Sequence, residues 1–403
     1  MANTQTLTIK RTIQASPPDV YRALTNSSAL REWLCDVALL DLRKGGRVYL
    51  AWNDGYHTTG YVAAVTPDKK LAFSWRGAGE PDETRVRISL KQSNGGTGVT
   101  VTHSGFGSGK AWAKAAKGLA RGWGSSLENL QSVMETGHDL RITLRPMLGI
   151  TVGEFNSEVA AKLGVPVADG IWLDGTLEGM GAHAAGLRKD DVVVGAGGKK
   201  VVNFPSLANA LQSRRAGDKV AVVFYRGKEK MKTTMELSPR PLPEAPPTAR
   251  ELADALRAIY AELDPELDGC FAGVSEAEAS YRPAPDEWSA RDVVAHLLAG
   301  ERDNHSYMTE LVSDAERYYD VIPGNVQARH EAIHASYPAA AGLLADLKRA
   351  EAETVALIAA LPPEFVARKR TYWRLGYNLL QPPFHTREHF NQIRAAIEAA
   401  RKQ

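Results

Sequence analysis

The chain has 403 residues, 44% hydrophobic and 24% charged, with a formal net charge of +2. That length calls for roughly two to four domains at about 100–200 residues each, and the composition is that of globular protein able to bury a core in each. The near-balanced charge supplies no bulk attraction to nucleic acid or to an anionic membrane. The two cysteines, Cys35 and Cys270, stand far apart, which excludes a disulfide framework and favours a reducing compartment. The opening MANTQTLTIKRTIQA has no apolar leader core, and no run of 18 apolar residues occurs. The expectation is a cytoplasmic protein with no membrane partner.

In chain order, TLTIKRTIQA (residues 6–15) alternates as a strand. SPPDVYRAL follows with Ser16 as N-cap, Pro17 in the first helical position and Asp19 in the third, a start that satisfies orphan N–H groups. GGRVYLAW, TTGYVAAVTP, KLAFSWR, TRVRISLKQ and GTGVTVTHS read as further strands, with SNGG (93–96) turning between the last two. A long helix, GKAWAKAAKGLARGWGSSLENLQSVMET, closes the segment. Strand, helix, antiparallel sheet and closing helix predict an α+β helix-grip domain over residues 1–140.

The segment resembles the START-like SRPBCC superfamily and, within it, relatives of activators of the Hsp-type chaperone ATPase. The resemblance rests on ASPPDVYRALTNSSALREWL (15–34), VTHSGF (101–106) and GWGSSLENL (122–130). It implies a cavity between sheet and long helix for a small apolar ligand, with Trp33, Trp75, Phe106 and Trp123 as candidate lining. Large aromatics also fill cores, and both uses stay open at this point.

From residue 141 the pattern changes to short strands broken by glycines, and RITLRPMLGITVGEF opens it. M-L-G-I (147–150), GAHAAGLRKDDVV (181–193), SLANAL (206–211) and FYRGKE (224–229) together resemble a PDZ domain of the bacterial protease-associated type, a small mostly-β fold over residues 141–238. The resemblance implies binding of a protein C-terminal peptide by strand addition. The peptide would lie beside the helix carrying Leu207 and Leu211, with its carboxylate on the N–H groups of Leu148, Gly149 and Ile150. This chain has Met147 where the family often has glycine at the start of that loop.

SPRPLPEAPPTAR (238–250) has five prolines in 13 residues and reads as a semi-rigid linker centred on residues 239–249. Residues 250–403 are helical in pattern. Thr248 and Glu251 form a capping box before ELADALRAIYAELDPEL. Ser289 and Asp292 form another before VVAHLLAGERD, with Trp288 and Val293 as its hydrophobic staple. A third helix is expected over about 327–361, broken near Pro338, and a fourth after Pro382 and Pro383, with Phe390, Ile393 and Ile397 on its apolar stripe. The expectation is an all-α four-helix bundle.

Within that bundle His385 and His389 stand four apart on one helix face, and His296 sits beside Val293 and Leu297 on another apolar stripe. Imidazoles converging inside a bundle suit a borderline divalent ion such as zinc or nickel. WSARDVVAHL (288–297) and HTREHFNQIR (385–394) resemble the two signature stretches of the DinB-like metal-binding family, which implies His296, His385 and His389 as the ligand set. Two peptidase patterns compete. The stretch from His385 to His389 also fits H-x-x-E-H, but the following glutamate, Glu398, lies about 14 Å further along the same helix at a rise of about 1.5 Å per residue, too far to share an ion. HEAIH (330–334) fits H-E-x-x-H, with Glu331 as base and Glu351 or Glu353 as third ligand; its helix is expected to present His330 and His334 on a partly solvated face.

These readings converge on a three-module binding and adaptor protein with apolar-ligand, peptide and divalent-metal modules. The alternative is a metal-dependent thiol transferase or hydrolase centred on the bundle. Glu301, Asp303 and Asn304 are then the nearest candidates for a base, and Cys270 is either a nucleophile or a buried filler.

Overall fold

The computed structural model describes residues 5–403 except 94, 213, 241, 243, 286, 318–326 and 381–382; the side chains of 383–385 also fall outside the description. The chain forms two compact units, Met1–Asp139 with Pro243–Gln403, and Leu140–Leu242.

The first segment opens with strand β1 (Gln5–Ile13), helices α1 (Pro17–Thr25) and α2 (Ser27–Trp33), and strands β2 (Val37–Leu40) and β3 (Arg47–Ala51). Strands β4 (His57–Thr66), β5 (Lys70–Gly77), β6 (Thr84–Ser93) and β7 (Gly96–Phe106) follow, and α3 (Lys110–Thr136) ends it. The seven strands make one antiparallel sheet in the order β1-β7-β6-β5-β4-β3-β2. Ser93 pairs with Gly96 across the turn that the SNGG signal predicts. Along β6 buried and exposed residues alternate over the first half, which puts Thr84, Val86 and Ile88 on the core face. That face and α3 enclose Leu24, Trp33, Phe73, Trp75, Val101, Trp123 and Leu127. Ser16 and Asp19 cap α1 as expected. The short strand β2 and helix α2 have no counterpart among the predicted elements.

The unit Leu140–Leu242 contains α4 (Leu140–Thr143), β8 (Ile150–Gly153), α5 (Ser157–Leu163), β9 (Ile171–Thr176) and α6 (Gly181–Ala184). After these come β10 (Asp191–Ala196), β11 (Lys199–Lys200), α7 (Phe204–Leu211), β12 (Lys219–Arg226) and β13 (Glu229–Glu236). Its sheet runs β13-β12-β10-β9-β8 with β11 on β10, so β8 is an edge strand.

The last segment is all-helical: α8 (Ala249–Phe271), α9 (Glu276–Ser280), α10 (Ala290–Val312), α11 (Gln327–Ser336), α12 (Ala340–Ala359), α13 (Pro363–Val366), α14 (Lys369–Leu380) and α15 (Pro383–Arg401). Both expected capping boxes form, at Thr248 with Glu251 and at Ser289 with Asp292. The predicted third helix is two helices, α11 and α12, that part around Pro338. Helices α8, α10, α12 and α15 bury Leu263, Leu267, Val293, Leu298, Leu343, Leu347, Phe390 and Ile393 between them.

Helix α14 was not expected from sequence. It joins the bundle to the grip segment inside their shared unit. Thr371 donates its hydroxyl to Glu32 at 2.6 Å, and Arg374 makes paired bonds of 3.0 and 2.9 Å to Glu316, which also meets Arg31 at 2.7 Å. Arg22 pairs with Asp314, and Lys369 Nζ donates to the Glu135 carbonyl at 2.7 Å. Burial pushes the Glu32 carboxyl up, and Arg374 partly offsets that. Gly137 ends α3 with a left-handed φ of +80°, and a Cβ there would stand 2.8 Å from the Lys369 carbonyl oxygen, so only glycine lets α14 approach so closely.

Candidate functional site

The metal candidates sit where α10 meets α15. Asp292, at the third position of α10, fixes the start of that helix. It accepts from Ser289 N–H (2.9 Å) and Oγ (2.8 Å), from Arg282 (2.8 and 3.0 Å) and from His334 Nε2 (2.8 Å). Burial alone would raise its pKa, but these donors together hold the carboxyl well below the usual carboxylate range. With the helix so anchored, Trp288 lies 5.0 Å from the His296 ring, and the His296 and His389 rings lie 4.9 Å apart, centroid to centroid.

His389 is buried, and its Nδ1 is 2.8 Å from Gln392 Oε1. An amide oxygen only accepts, so Nδ1 carries the proton and Nε2 presents the lone pair. A partner on the far nitrogen is how ligating histidines are usually oriented. His385 lies in the first turn of α15, and its side chain is outside the described residues. Among the described residues no group of three or more His, Cys, Asp or Glu is placed to hold a metal. The two described imidazoles fit a nitrogen-ligand site in kind and in spacing, with His385 needed as the third.

HEAIH is placed otherwise than expected. His330 is 1% exposed and sits edge-on to Trp288 at 5.4 Å; His334 is bound to Asp292. His330 therefore turns inward against Trp288, while His334, 22% exposed, stays half-buried on its ion pair with Asp292, so the expectation of a partly solvated face is corrected for His330 alone. Glu331 is exposed and takes a bond from Gln327. Of the proposed bases, Glu301 accepts from Tyr260 (2.9 Å) and Thr354 (2.6 Å), and Asp303 pairs with Arg329 at 2.8 Å. The Cys270 thiol donates to the Glu266 carbonyl at 3.3 Å, and burial pushes its pKa up, which suits a buried filler rather than a nucleophile.

In the PDZ-like unit, Met147 and Ser238 exchange backbone bonds of 2.9 and 3.0 Å, and the Leu148 and Gly149 carbonyls accept from Ala182 (3.0 Å) and Leu177 (2.9 Å). The N–H groups of Leu148 and Gly149 have no backbone acceptor among the described residues. Gly149 has φ +73°, and a Cβ there would collide with Met180 at 2.2 Å. Ile150 begins the edge strand β8. Leu207 and Leu211 are 3% and 9% exposed and pack in the core together with Leu148 and Ile150. The large apolar side chains on the surface are instead Leu177, Val152 of β8 and Phe204 of α7.

In the grip domain Trp33, Trp75, Phe106 and Trp123 are all buried. Trp75 lies 5.7 Å from Trp123, and His103 lies 4.9 Å from Phe106. The space beside Trp33 and Trp123 is about 20 Å³, close to the minimum for one water. His103, fully buried, was not singled out from sequence. Trp123 donates to its Nδ1 at 3.1 Å, so Nε2 carries the proton and donates to Thr84 Oγ1 at 2.7 Å, and that hydroxyl donates on to the Trp75 carbonyl at 3.0 Å. Burial lowers its pKa to about 4.

Three family models match the chain: Activator of Hsp90 ATPase homolog 1-like protein over residues 14–135, PDZ domain over 146–237, and DinB superfamily over 255–393. The chain carries these three modules in that order. Among curated proteins it is similar to a probable periplasmic serine protease do/HhoA-like of Haemophilus influenzae, 25% identical over 108 residues, 27% of this chain and 22% of that protein. It is also similar to a probable periplasmic serine endoprotease DegP-like of Chlamydia muridarum, 33% identical over 82 residues, 20% of this chain and 16% of that protein. The chain thus spans about a fifth of the length of these relatives. Among solved structures, the Aha1 dimer of Colwellia psychrerythraea is 22% identical, covering 32% of this chain and 96% of its own, with a TM-score of 0.29. A Chromobacterium violaceum protein is 26% identical, covering 32% and 96%, with a TM-score of 0.28. In the DinB-superfamily module, as in the rest of the described chain, no helix is long and apolar enough to cross a membrane.

Proposed function

We propose that the protein is a multidomain adaptor that holds a divalent metal ion in its DinB-like bundle and takes a protein C-terminus on its PDZ module. The observation that chiefly supports this is the His296–His389 ring pair at 4.9 Å, with Gln392 orienting the second imidazole. His385, one turn earlier on α15, would complete a three-nitrogen set suited to zinc or nickel. When bound, such an ion supplies Lewis acidity toward a water or a thiol. The chain's own residues set the ring planes: Gln392 Oε1 accepts from the Nδ1–H of His389, and Trp288 packs on His296.

Metal content of the full chain tests this beside two variants, His389→Ala and His330→Ala/His334→Ala. About one equivalent is expected in the wild type and in the double variant, and none in His389→Ala. A wild type that stays metal-free after loading with zinc and nickel overturns the reading.

On the PDZ module a peptide would add to the edge of β8, its carboxylate held by the N–H groups of Leu148, Gly149 and Ile150. Peptides with a free C-terminus should bind at least about tenfold tighter than their amides; equal affinity removes the carboxylate loop from the proposal. For the first module, a space of about 20 Å³ favours a protein client on its surface over a small apolar guest inside.

The enzyme reading has one observation in its favour. Leu297, Thr386 and Phe390, the chain neighbours of the three histidines, line an internal cavity of about 140 Å³. A metal-dependent transfer of a thiol to an electrophile, abolished in His389→Ala, would establish it.

A further inference from the structure

The cavity of about 140 Å³ lies among α8, α10, α12, α14 and α15. A leucine-walled cavity of about 150 Å³ is enough to take up benzene, so a small organic body fits. One wall is apolar, with Leu263, Leu297, Leu347 and Phe390. The other carries three acidic side chains, Asp264, Glu301 and Glu351, and no lysine or arginine among the described lining residues. Glu301 is satisfied by two hydroxyls. Glu351 is not: its Oε2 is buried with no hydrogen-bond partner among the described residues.

Glu351 and Asp264 are hydrogen-bonded to each other, which requires a proton between them. Burial, then the Asp264 charge, pushes the Glu351 carboxyl up to about 9, so Glu351 is the donor at neutral pH. Of the cations on the adjoining groove, Lys348 is committed to Asp268 at 2.6 Å and Arg257 to Asp254. A second, open groove between α8 and α12 shares Tyr260, Asp264 and Glu351 with the cavity. These three side chains therefore stand between the cavity and the groove, which Ala261 and Ala352 also line. An enclosed space, a crowded set of acids and an orphan oxygen are costly features in a bundle that leucines could otherwise fill.

We propose that this cavity binds a small organic cation: a primary ammonium among Asp264, Glu301 and Glu351, carried on a short apolar body against Leu263, Leu297 and Phe390. An ammonium offers three donors to three carboxyl groups, and its apolar body uses the wall that a bare metal ion would leave idle. The site contains none of the three histidines and does not depend on their metal.

Calorimetric titration of the chelator-treated full chain tests it, with benzylamine, its neutral counterpart benzyl alcohol, and manganese(II) as probes. The titratable and charged groups facing the site and its groove are Arg257, Tyr260 and Asp264 from α8, Glu301 and Tyr307 from α10, and Lys348 and Glu351 from α12; α14 and α15 contribute Leu375, Asn378, Leu379, Thr386 and Phe390, none of which titrates. Benzylamine should bind in one equivalent and release about one proton from Glu351. Its affinity should rise from pH 6.5 to 8.5, and benzyl alcohol should bind at least about tenfold more weakly. Glu351→Gln should lose the proton release and at least about tenfold in affinity, and Ala261→Trp, on the exposed groove, should slow association without changing the fold. Equal binding of alcohol and amine reduces the site to an apolar void. Displacement of the amine by manganese makes it a metal site. Unchanged amine affinity in Glu351→Gln/Asp264→Asn places the amine elsewhere. Each of these three results overturns the proposal.

Discussion

In the grip domain His103 is fully buried and both its ring nitrogens are engaged, whereas in the bundle Glu351 keeps a buried carboxyl oxygen without a partner. In the grip core beside Trp33 and Trp123 the side chains leave about 20 Å³; beside Glu351 the helices leave about 140 Å³. A polar group that is closed on every side holds structure together. One left open beside a void is poised to meet something that arrives later. The same contrast separates the two histidine-bearing regions: His103 is locked neutral in a chain of hydrogen bonds, while His389 is oriented by Gln392 and lies 4.9 Å from the His296 ring.

The largest test of that contrast is truncation. Trp123→Ala should cost about 3–5 kcal/mol, since it removes a full core side chain and the donor to His103 together. Calorimetric melting of the full chain reads it. Glu351→Gln should be nearly neutral below about pH 4.5, where the wild-type carboxyl is protonated in both states and glutamine keeps a donor toward Asp264. A loss as large as that from Trp123→Ala would put Glu351 among the structural groups and break the comparison.

Next come opposite pH limbs. His103 has a folded pKa of about 4 against 6.5 unfolded, so the unfolded chain binds the proton first as pH falls. Its contribution is whole above pH 6.5 and shrinks by about 1.4 kcal/mol per unit below that, about 3 kcal/mol by pH 4. Glu351 runs the other way: about 9 folded against 4.5 unfolded. The folded chain holds a proton there that the unfolded chain has released, so its contribution is whole below pH 4.5 and is lost as pH rises toward 9. Urea midpoints across pH should show His103→Gln flattening the acid limb and Glu351→Gln the alkaline limb; the reverse assignment would sink the comparison.

The smallest effect is at the helix starts. Thr248→Ala should cost about 1 kcal/mol, because it opens a reciprocal box with Glu251. Ser16→Ala should cost less, since its cap bond from Asp19 N–H is long at 3.4 Å. Urea midpoints order the two, and the opposite order would show that box closure adds nothing.

What sequence disclosed follows from distance along the chain. Caps at Ser16, Thr248 and Ser289, the break at Pro338 and the four-residue spacing of His385 and His389 are local signals, and all were legible. Helix α14 was not, because its reason for existing is Glu32 and Glu316, residues that only folding brings beside Thr371 and Arg374. The Asp264–Glu351 pair was hidden for the same reason: Glu351 stood out in sequence only as a candidate third ligand for HEAIH, and no local signal ties it to Asp264. The PDZ resemblance pointed to Leu207 and Leu211 as the helix beside a peptide, but a side chain against the core and one against a peptide look alike in sequence, and these two are 3% and 9% exposed. The inward turn of His330 against Trp288 and the tie of His334 to Asp292 depended on residues some forty positions upstream.

The joint at α14 also sets a timetable for synthesis. Residues 1–139 emerge first, and their acidic partners wait while the PDZ segment and most of the bundle are made. At about 5–20 residues per second, α14 follows the end of the grip segment by roughly 10–50 s. Until then Glu32 stands in water rather than under Arg374, and the grip surface that will face α14 is open to whatever holds nascent chains.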